Sequence, residues 1–155
     1  MTLDGGRLSR ILLALLVAAG SRCASSRGLP TLCAHLEGAG PTSDAQDPDH
    51  KGFAVLTLES TEIRYTIDAP GLQTVVATHI HHGPAGMNGP MLWEINTGYR
   101  GDRIDGEATG LPSGVITLIA LEPSQYYVKL HSLQYPGGAI RGQLQPCREA
   151  GVSSR

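Results

Sequence analysis

Alternation of apolar and polar residues is the clearest pattern along this chain. It covers residues 31–37, 63–68 and 126–131, where every second side chain is apolar or aromatic. A period of two is typical of strands with one face in the core. Further runs rich in Val, Ile and Leu occur between turns that contain Gly or Pro. The pattern predicts an all-β fold, an antiparallel sandwich or barrel of about seven to eight strands.

Residues 115–121 fit two kinds of element. Their β-branched residues favour a strand, whereas the spacing of Ile116, Ile119 and Ala120 also fits one face of a helix. The sequence leaves this segment open.

The N-terminal residues 1–25 have the pattern of a secretory signal peptide. Arg7 and Arg10 precede nine consecutive apolar residues, 11–19, and small or polar residues follow. An apolar run of this length is too short to span a bilayer, which takes about 20 residues. We therefore expect a secreted or extracellular protein with no transmembrane segment after cleavage. A single domain over 31–147 and a flexible polar tail over 148–155 are expected to remain.

The cysteines agree with export. Cleavage near position 25 removes Cys23 and leaves Cys33 and Cys147 as a pair. In an oxidising compartment these two can form a disulfide between the first and last strands. A retained Cys23 would offer an alternative partner. The loop closed by a Cys33–Cys147 bond would contribute on the order of 4–5 kcal/mol in the chain-entropy model.

Charge and motif content exclude several function classes. A net charge of -2 argues against a nucleic-acid or acidic-membrane partner. No serine or cysteine lies in a recognisable nucleophile motif, and there is no phosphate-binding glycine loop. The sequence therefore predicts no catalytic residue, and a binding role is expected ahead of an enzymatic one.

The densest chemistry lies in Thr78–Gly83, which holds three of the six histidines. Val76, Thr78 and Ile80 form the more apolar face of this strand, so His79 and His81 are expected to point away from the core. By the same parity Tyr126, Val128 and Leu130 point inward, and Tyr127, Lys129 and His131 point outward. If the two strands are neighbours, three imidazoles lie on one surface, and imidazole suits copper or zinc. His82 has the opposite parity.

Residues 79–90 (HIHHGPAGMNGP) resemble the signature of the CHRD domain, the module named after chordin. Its second half is also present, in residues 127–131 and 136–144, so the resemblance covers about 31–145. Ala139 departs from the acidic residue of many members, and His81–His82 from a single residue before the glycine loop. The motif positions are Gly83, Gly86, Asn88, Gly89, Pro90, Gly138, Arg141 and Gly142.

The CHRD resemblance implies a secreted or surface-exposed β-barrel of immunoglobulin-like type, without a known reaction. The cysteine-rich domains of chordin are absent from this sequence, so growth-factor binding is not transferred. The leading expectation is a non-enzymatic extracellular binding or structural protein, whose partner is an unknown extracellular protein or polymer.

A more distant resemblance, to copper/zinc superoxide dismutases, gives the alternative. His79, His81 and His131 occupy places analogous to that family's His-x-His strand and late histidine. No zinc site matches. This resemblance implies a copper- or zinc-binding protein with a dismutase-like redox role. Independently of it, metal-binding His79 and His81 would need partners that fix their tautomers, and Tyr127 or Glu94 are the candidates.

Two other interpretations of the histidines stay open: hydrogen bonds to the carbonyls of residues 83–89, and contact with a ligand or partner. Ligands at about 2.0–2.1 Å from one ion require nitrogens about 3–4 Å apart. Arg141 is expected on the outer face of the last strand, either steering anions near the histidines or in a salt bridge to a neighbouring strand.

Overall fold

The computed structural model describes residues 29–38, 45–96 and 98–147. The predicted signal peptide, Cys23 and the predicted tail lie outside these residues. The described residues form an antiparallel sheet, one helix and one 3₁₀ turn. The strands are β1 Thr31–Glu37, β2 Lys51–Leu58, β3 Glu62–Asp68, β4 Val75–His82, β5 Met91–Asn96, β6 Arg103–Thr109, β7 Tyr126–Ser132, β8 Ile140–Gln143 and β9 Gln145–Pro146, with helix α1 at Ser113–Leu121 and the 3₁₀ turn at Pro123–Gln125.

The sheet curls into a nearly closed barrel. Its strand order is β5-β4-β7-β8-β1-β2-β3-β6, and β9 pairs with β1 beside this path. The predicted all-β antiparallel fold is confirmed. No helix among the described residues has the length and apolar character that crossing a membrane requires.

Alternation along the strands builds the core. On β1 the side chains of Leu32, Ala34 and Leu36 are fully buried, as the period of two predicted. The same period buries Ile63 and Ile67 on β3. Because almost every strand contributes alternate residues, the barrel interior is filled by aliphatic side chains.

The ambiguous segment 115–121 is helical. Ile116 and Ile119 lie one turn apart and are both fully buried, whereas Leu118 and Leu121 are exposed. Spacing of three residues, and not alternation, therefore decides which side chains reach the core. The helix begins after Pro112, whose fixed φ of -58° suits a helix start.

The apolar face of β4 differs from the prediction at its first residues. Thr78 and Ile80 are fully buried as predicted, but Val75 is buried and Val76 only partly. A register shift between Val75 and Ala77 in the pairing with β7 explains this, because one extra residue reverses the alternation.

The outward face of β7 is also not the solvent-exposed face that alternation suggests. Tyr126, Val128 and Leu130 point inward as predicted, but Tyr127 is 0% exposed and Lys129 only 5%. The loop 83–90 lies over Tyr127, since the Gly89 N–H donates to the tyrosine hydroxyl at 3.1 Å. Strand parity is therefore right, and the loop supplies the cover that parity cannot predict.

The disulfide predicted between the first and last strands is present in the structure. Cys33 on β1 bonds to Cys147, immediately after β9, across 114 residues of chain. The bond fastens the C-terminal strand to the middle of the sheet, beside the pairing of β9 with β1.

Candidate metal centre

The pairing of β4 with β7 brings the three predicted histidines together. His79 lies opposite Lys129, His81 opposite Tyr127, and His131 opposite Ala77. All three histidines project from the outer face, and their candidate ligand nitrogens lie within 4.8 Å of one another. His82 projects from the other face, is exposed and packs beside Tyr126. The predicted neighbouring strands and shared surface are confirmed.

His81 presents one nitrogen to the centre of this cluster. Its Nδ1 lies 3.0 Å from the carbonyl oxygen of Gly89, which can only accept, so Nδ1 carries the proton. Neutral His81 then has its lone pair on Nε2. That atom is buried and has no hydrogen-bond partner in the described part of the chain. A buried acceptor without a partner costs about 1–3 kcal/mol, so Nε2 is placed to accept a hydrogen bond from a bound water or to bind a metal ion.

The other two imidazoles are oriented by acceptors in the same way. His131 Nδ1 lies 2.8 Å from the carbonyl oxygen of Pro136, so its proton is on Nδ1 and its lone pair on Nε2. His79 Nε2 lies 3.4 Å from a carboxylate oxygen of Glu94, a longer contact that favours the proton on Nε2 and the lone pair on Nδ1. A carboxylate or carbonyl on the far nitrogen is typical of histidines that bind metals.

These tautomers place two lone pairs face to face. His79 Nδ1 and His131 Nε2 are 3.1 Å apart, and in the neutral rings both are acceptors. If His79 instead carries its proton on Nδ1, it donates an ordinary hydrogen bond to His131 Nε2 and gives up the longer contact with Glu94. If both lone pairs face each other, the two acceptors repel unless a shared proton or a metal ion lies between or beside them.

The distances fit a metal ion after a small adjustment. Two nitrogens at 2.0–2.1 Å from one ion are at most about 4.2 Å apart. The 3.1 Å between His79 and His131 meets this limit, while the widest separation in the cluster, up to 4.8 Å, exceeds it and also exceeds the 3–4 Å expected from the sequence. A shift of one ring nitrogen by about 0.6 Å brings the widest separation, 4.8 Å, to this limit of about 4.2 Å.

Burial keeps His81 in the form that binds metals. Desolvation is the largest influence and lowers its pKa below the usual 6.5, with the Gly89 hydrogen bond acting in the opposite direction. The positive charges of Lys129, His79 and His131 lower it further. A neutral imidazole with a free lone pair is therefore present at neutral pH.

The predicted partners of the ligands are found in contact with them. Glu94 meets His79, and the Tyr127 ring stacks on His81 with centroids 4.9 Å apart and planes at 13°. Arg141, predicted on the outer face of the last strand, lies over the other face of Tyr127, 3.4 Å from its centroid. It also donates to the loop, to the Met87 carbonyl at 3.1 Å, so it ties β8 to a loop and does not stand free beside the histidines.

Sequence reasoning missed two contributors to the site. The carbonyl of Pro136 holds His131, and the Arg141–Tyr127–His81 stack runs across three strands. The second has a weak signal, because these residues have outward parity on β8, β7 and β4. The Pro136 carbonyl has no such signal, because every residue has a backbone carbonyl and the residue type does not show where it points.

The comparison with family models agrees with the motifs. The model of the CHRD domain matches residues 32–144, most of the chain. No curated protein matches the chain, and neither does any solved structure.

Proposed function

Because the chain belongs to the CHRD-domain family, an extracellular type of module, we propose that it is a secreted protein that binds one copper or zinc ion. The ligands are His79 Nδ1, His81 Nε2 and His131 Nε2. The observation that carries the proposal is the 3.1 Å approach of two imidazole nitrogens beside a third that is buried and has no partner among the described residues.

The chemistry of the donor set supports this assignment. Imidazole nitrogens suit copper and zinc, and three protein ligands leave a coordination position for water or a small ligand. Each ligand histidine has an oxygen on its other nitrogen, from Glu94, Gly89 and Pro136 respectively. Fixed tautomers reduce the reorganisation that metal binding requires.

The competing explanation is a proton shared by His79 and His131, with His81 serving only to fasten the loop. Under this explanation the protein is a non-enzymatic module that binds an extracellular protein or polymer, and the histidines stabilise the fold. The two explanations differ in one measurable respect: only the metal explanation requires an ion that stays bound through purification at neutral pH.

Metal analysis of untagged protein tests the proposal. We expect close to one copper or zinc ion per chain after loading and removal of excess metal. The double variant His81→Ala, His131→Ala is expected to bind none. His82→Ala is the matched control, since this neighbouring histidine is exposed on the other face, and it should bind as the wild type does. Wild-type protein that holds no stoichiometric copper or zinc would overturn the proposal.

A redox role needs a further measurement. The copper-loaded and zinc-loaded proteins should be compared for superoxide dismutation, because only copper changes oxidation state under these conditions. Activity in the copper form that is lost in the double variant would support the dismutase-like alternative. Equal inactivity of both forms would restrict the site to binding.

A further inference from the structure

We infer that the two glycine-rich segments of the CHRD signature, 83–90 and 136–138, are positioning elements that fix the tautomers of His81 and His131. Tyr127 and Arg141 act as positioning residues for His81. The inference rests on the proposed metal site. It gives the two glycine-rich segments, which contain none of the proposed metal ligands, a role in orienting those ligands. Each segment supplies one backbone carbonyl to one histidine.

The Gly89 peptide is held on both sides. Its N–H donates to the Tyr127 hydroxyl at 3.1 Å, and its carbonyl accepts from His81 Nδ1 at 3.0 Å. The same hydroxyl lies 3.3 Å from that carbonyl. Tyr127 is fully buried, so its hydroxyl keeps these two contacts with Gly89 unless the loop opens. The carbonyl that sets the His81 tautomer is therefore a fixed acceptor.

Glycine at position 89 is required by the approach of the loop to β4. A Cβ atom there would lie 1.6 Å from the carbonyl oxygen of His82, which is backbone and cannot move aside. Gly86 turns the loop with φ of 79°, a conformation that favours glycine. Both glycines let the loop come back over the strand that carries His79 and His81.

Arg141 locks this loop from β8. Its guanidinium donates to the Met87 carbonyl at 3.1 Å and to Asn88 Oδ1 at 3.2 Å, the two residues before Gly89. Its guanidinium carbon also lies 3.4 Å from the centroid of the Tyr127 ring, which stacks on His81. One side chain thus contacts both the residues before the carbonyl acceptor and the ring that supports the imidazole.

The turn between β7 and β8 does the same for His131. The Pro136 carbonyl accepts from His131 Nδ1 at 2.8 Å, five residues along the chain. The turn is closed by the Gly138 N–H, which donates to the Tyr135 carbonyl at 3.0 Å, and Gly138 has φ of 138°, which a side chain would strain. The histidine at the end of one strand therefore receives its acceptor from the turn that follows.

Tautomer measurements on metal-free protein test the inference separately from metal binding. In two-bond ¹H–¹⁵N spectra of the wild type, His81 should be protonated on Nδ1 and His131 on Nδ1. Tyr127→Phe and Arg141→Lys should give a mixture of tautomers at His81 and leave His131 unchanged. Metal affinity should fall 10–100-fold in both variants, as is typical when an outer partner of a metal ligand is removed.

One control and one milder variant keep the test decisive. Arg64→Lys alters an exposed arginine on β3 and should change neither spectrum nor affinity. Asn88→Ala removes one bond of Arg141 from an exposed side chain, so it should fold even if Tyr127→Phe does not, and should shift the His81 tautomer in the same direction. A single Nδ1–H tautomer with wild-type affinity in Arg141→Lys and Asn88→Ala would overturn the inference. Absence of metal binding in the wild type with the predicted tautomers would instead refute only the proposed function.

Discussion

Two arginines on the outer surface of the barrel have opposite environments. Arg64 on β3 has 63% of its side chain exposed and pairs with Glu62 at 3.1 Å and Glu107 at 3.8 Å. Arg141 on β8 is 9% exposed, and its described hydrogen bonds go to the loop 83–90. The first lies on an ordinary charged surface. The second lies under a cover that the fold builds over one side of the barrel.

The difference shows where polar groups carry information about function. An exposed ion pair is screened by water and contributes about 0–1 kcal/mol, so its presence on β3 needs no special explanation. A buried guanidinium must be hydrogen-bonded or it destabilises the fold. Arg141, Lys129 and His81 are all buried on the outer face beside the candidate metal centre, whereas Arg64 lies on an exposed, charged part of the barrel.

Gly142→Ala should have the largest effect of the changes considered. A Cβ at position 142 would lie 2.0 Å from the carbonyl oxygen of His35, so β8 must move away from β1. We expect a loss of more than about 4 kcal/mol in the free energy of unfolding, which is typical of backbone overlap and not of a lost contact. Chemical denaturation measures it, and metal affinity should fall with it because Arg141 is the preceding residue.

Gly137→Ala in the turn before β8 is the matched control. No atom lies within 4 Å of a Cβ built at that position. Its free energy of unfolding should stay within about 0.5 kcal/mol of the wild type. Equal stability of the two alanine variants would show that β8 does not pack on β1 as closely as described.

Most of the fold follows from the sequence because alternation is a strong signal where one face is buried. The cysteine count after the expected signal cleavage predicted the disulfide of Cys33 with Cys147, and alternation placed Leu32, Ala34 and Leu36 in the core. Alternation failed at Val76, where a bulge shifts it by one residue. Local periodicity contains no information about such a shift, since it arises from the pairing with another strand.

The candidate site follows from the sequence only in part. Parity placed His79, His81 and His131 on one face, and the distant resemblance to copper/zinc superoxide dismutases pointed to the same three residues. Parity did not predict that Tyr127 is buried, because its cover comes from a loop 38 residues earlier in the chain. Contacts made by backbone carbonyls depend on the path of the chain, so they require the folded structure.

Arg141→Met should have the second largest effect and sharpens the comparison with Arg64. It removes the bonds to Met87 and Asn88 and the contact with the Tyr127 ring. A hydrogen bond to a charged group contributes about 1.5–3 kcal/mol, but the exposed Met87 and Asn88 can bind water in place of the arginine. We therefore expect a total loss of about 2–4 kcal/mol, less than the sum of the two bonds. Urea denaturation measures it. A loss below about 0.5 kcal/mol would mean that the loop does not depend on this arginine.

Asp47→Asn extends the comparison to the carboxylates. Asp47 is 2% exposed, and His50 Nδ1 lies 2.8 Å from its Oδ2. Burial by itself raises the pKa of Asp47, but hydrogen bonds from His50 and from the Asp49 N–H outweigh it and hold the pKa below the usual 3.8. A depressed carboxyl pKa stabilises the fold above the unfolded value, and this stabilisation is lost as pH falls through the folded value.

The wild type should therefore lose stability as pH falls below about 4, and Asp47→Asn should lack this part of the loss. At pH 7 we expect the variant to be about 1–3 kcal/mol less stable, since it loses the ionised acceptor of His50. Asp105→Asn is the exposed counterpart: Arg103 and Thr66 also lower the pKa of that carboxyl, but on an open surface. Its stability at neutral pH should match the wild type. Thermal unfolding between pH 3 and pH 7 tests both variants. Identical pH profiles for the wild type and Asp47→Asn would contradict a stabilising role for the ionised Asp47 carboxylate.

Arg64→Met should have the smallest effect and tests the other side of the comparison. The side chain is mostly exposed, and its contacts with Glu62 and Glu107 lie in water, where screening and side-chain entropy offset the attraction. We expect a change of no more than about 0.5 kcal/mol in the free energy of unfolding, and an even smaller one in high salt. Metal affinity should not change, because the described contacts of Arg64 are with Glu62 and Glu107 and not with the histidines. A loss of stability comparable to that of Arg141→Met would mean that the exposed and the buried arginine contribute equally to the fold. Burial of polar groups would then be no argument for the histidine face as the candidate site.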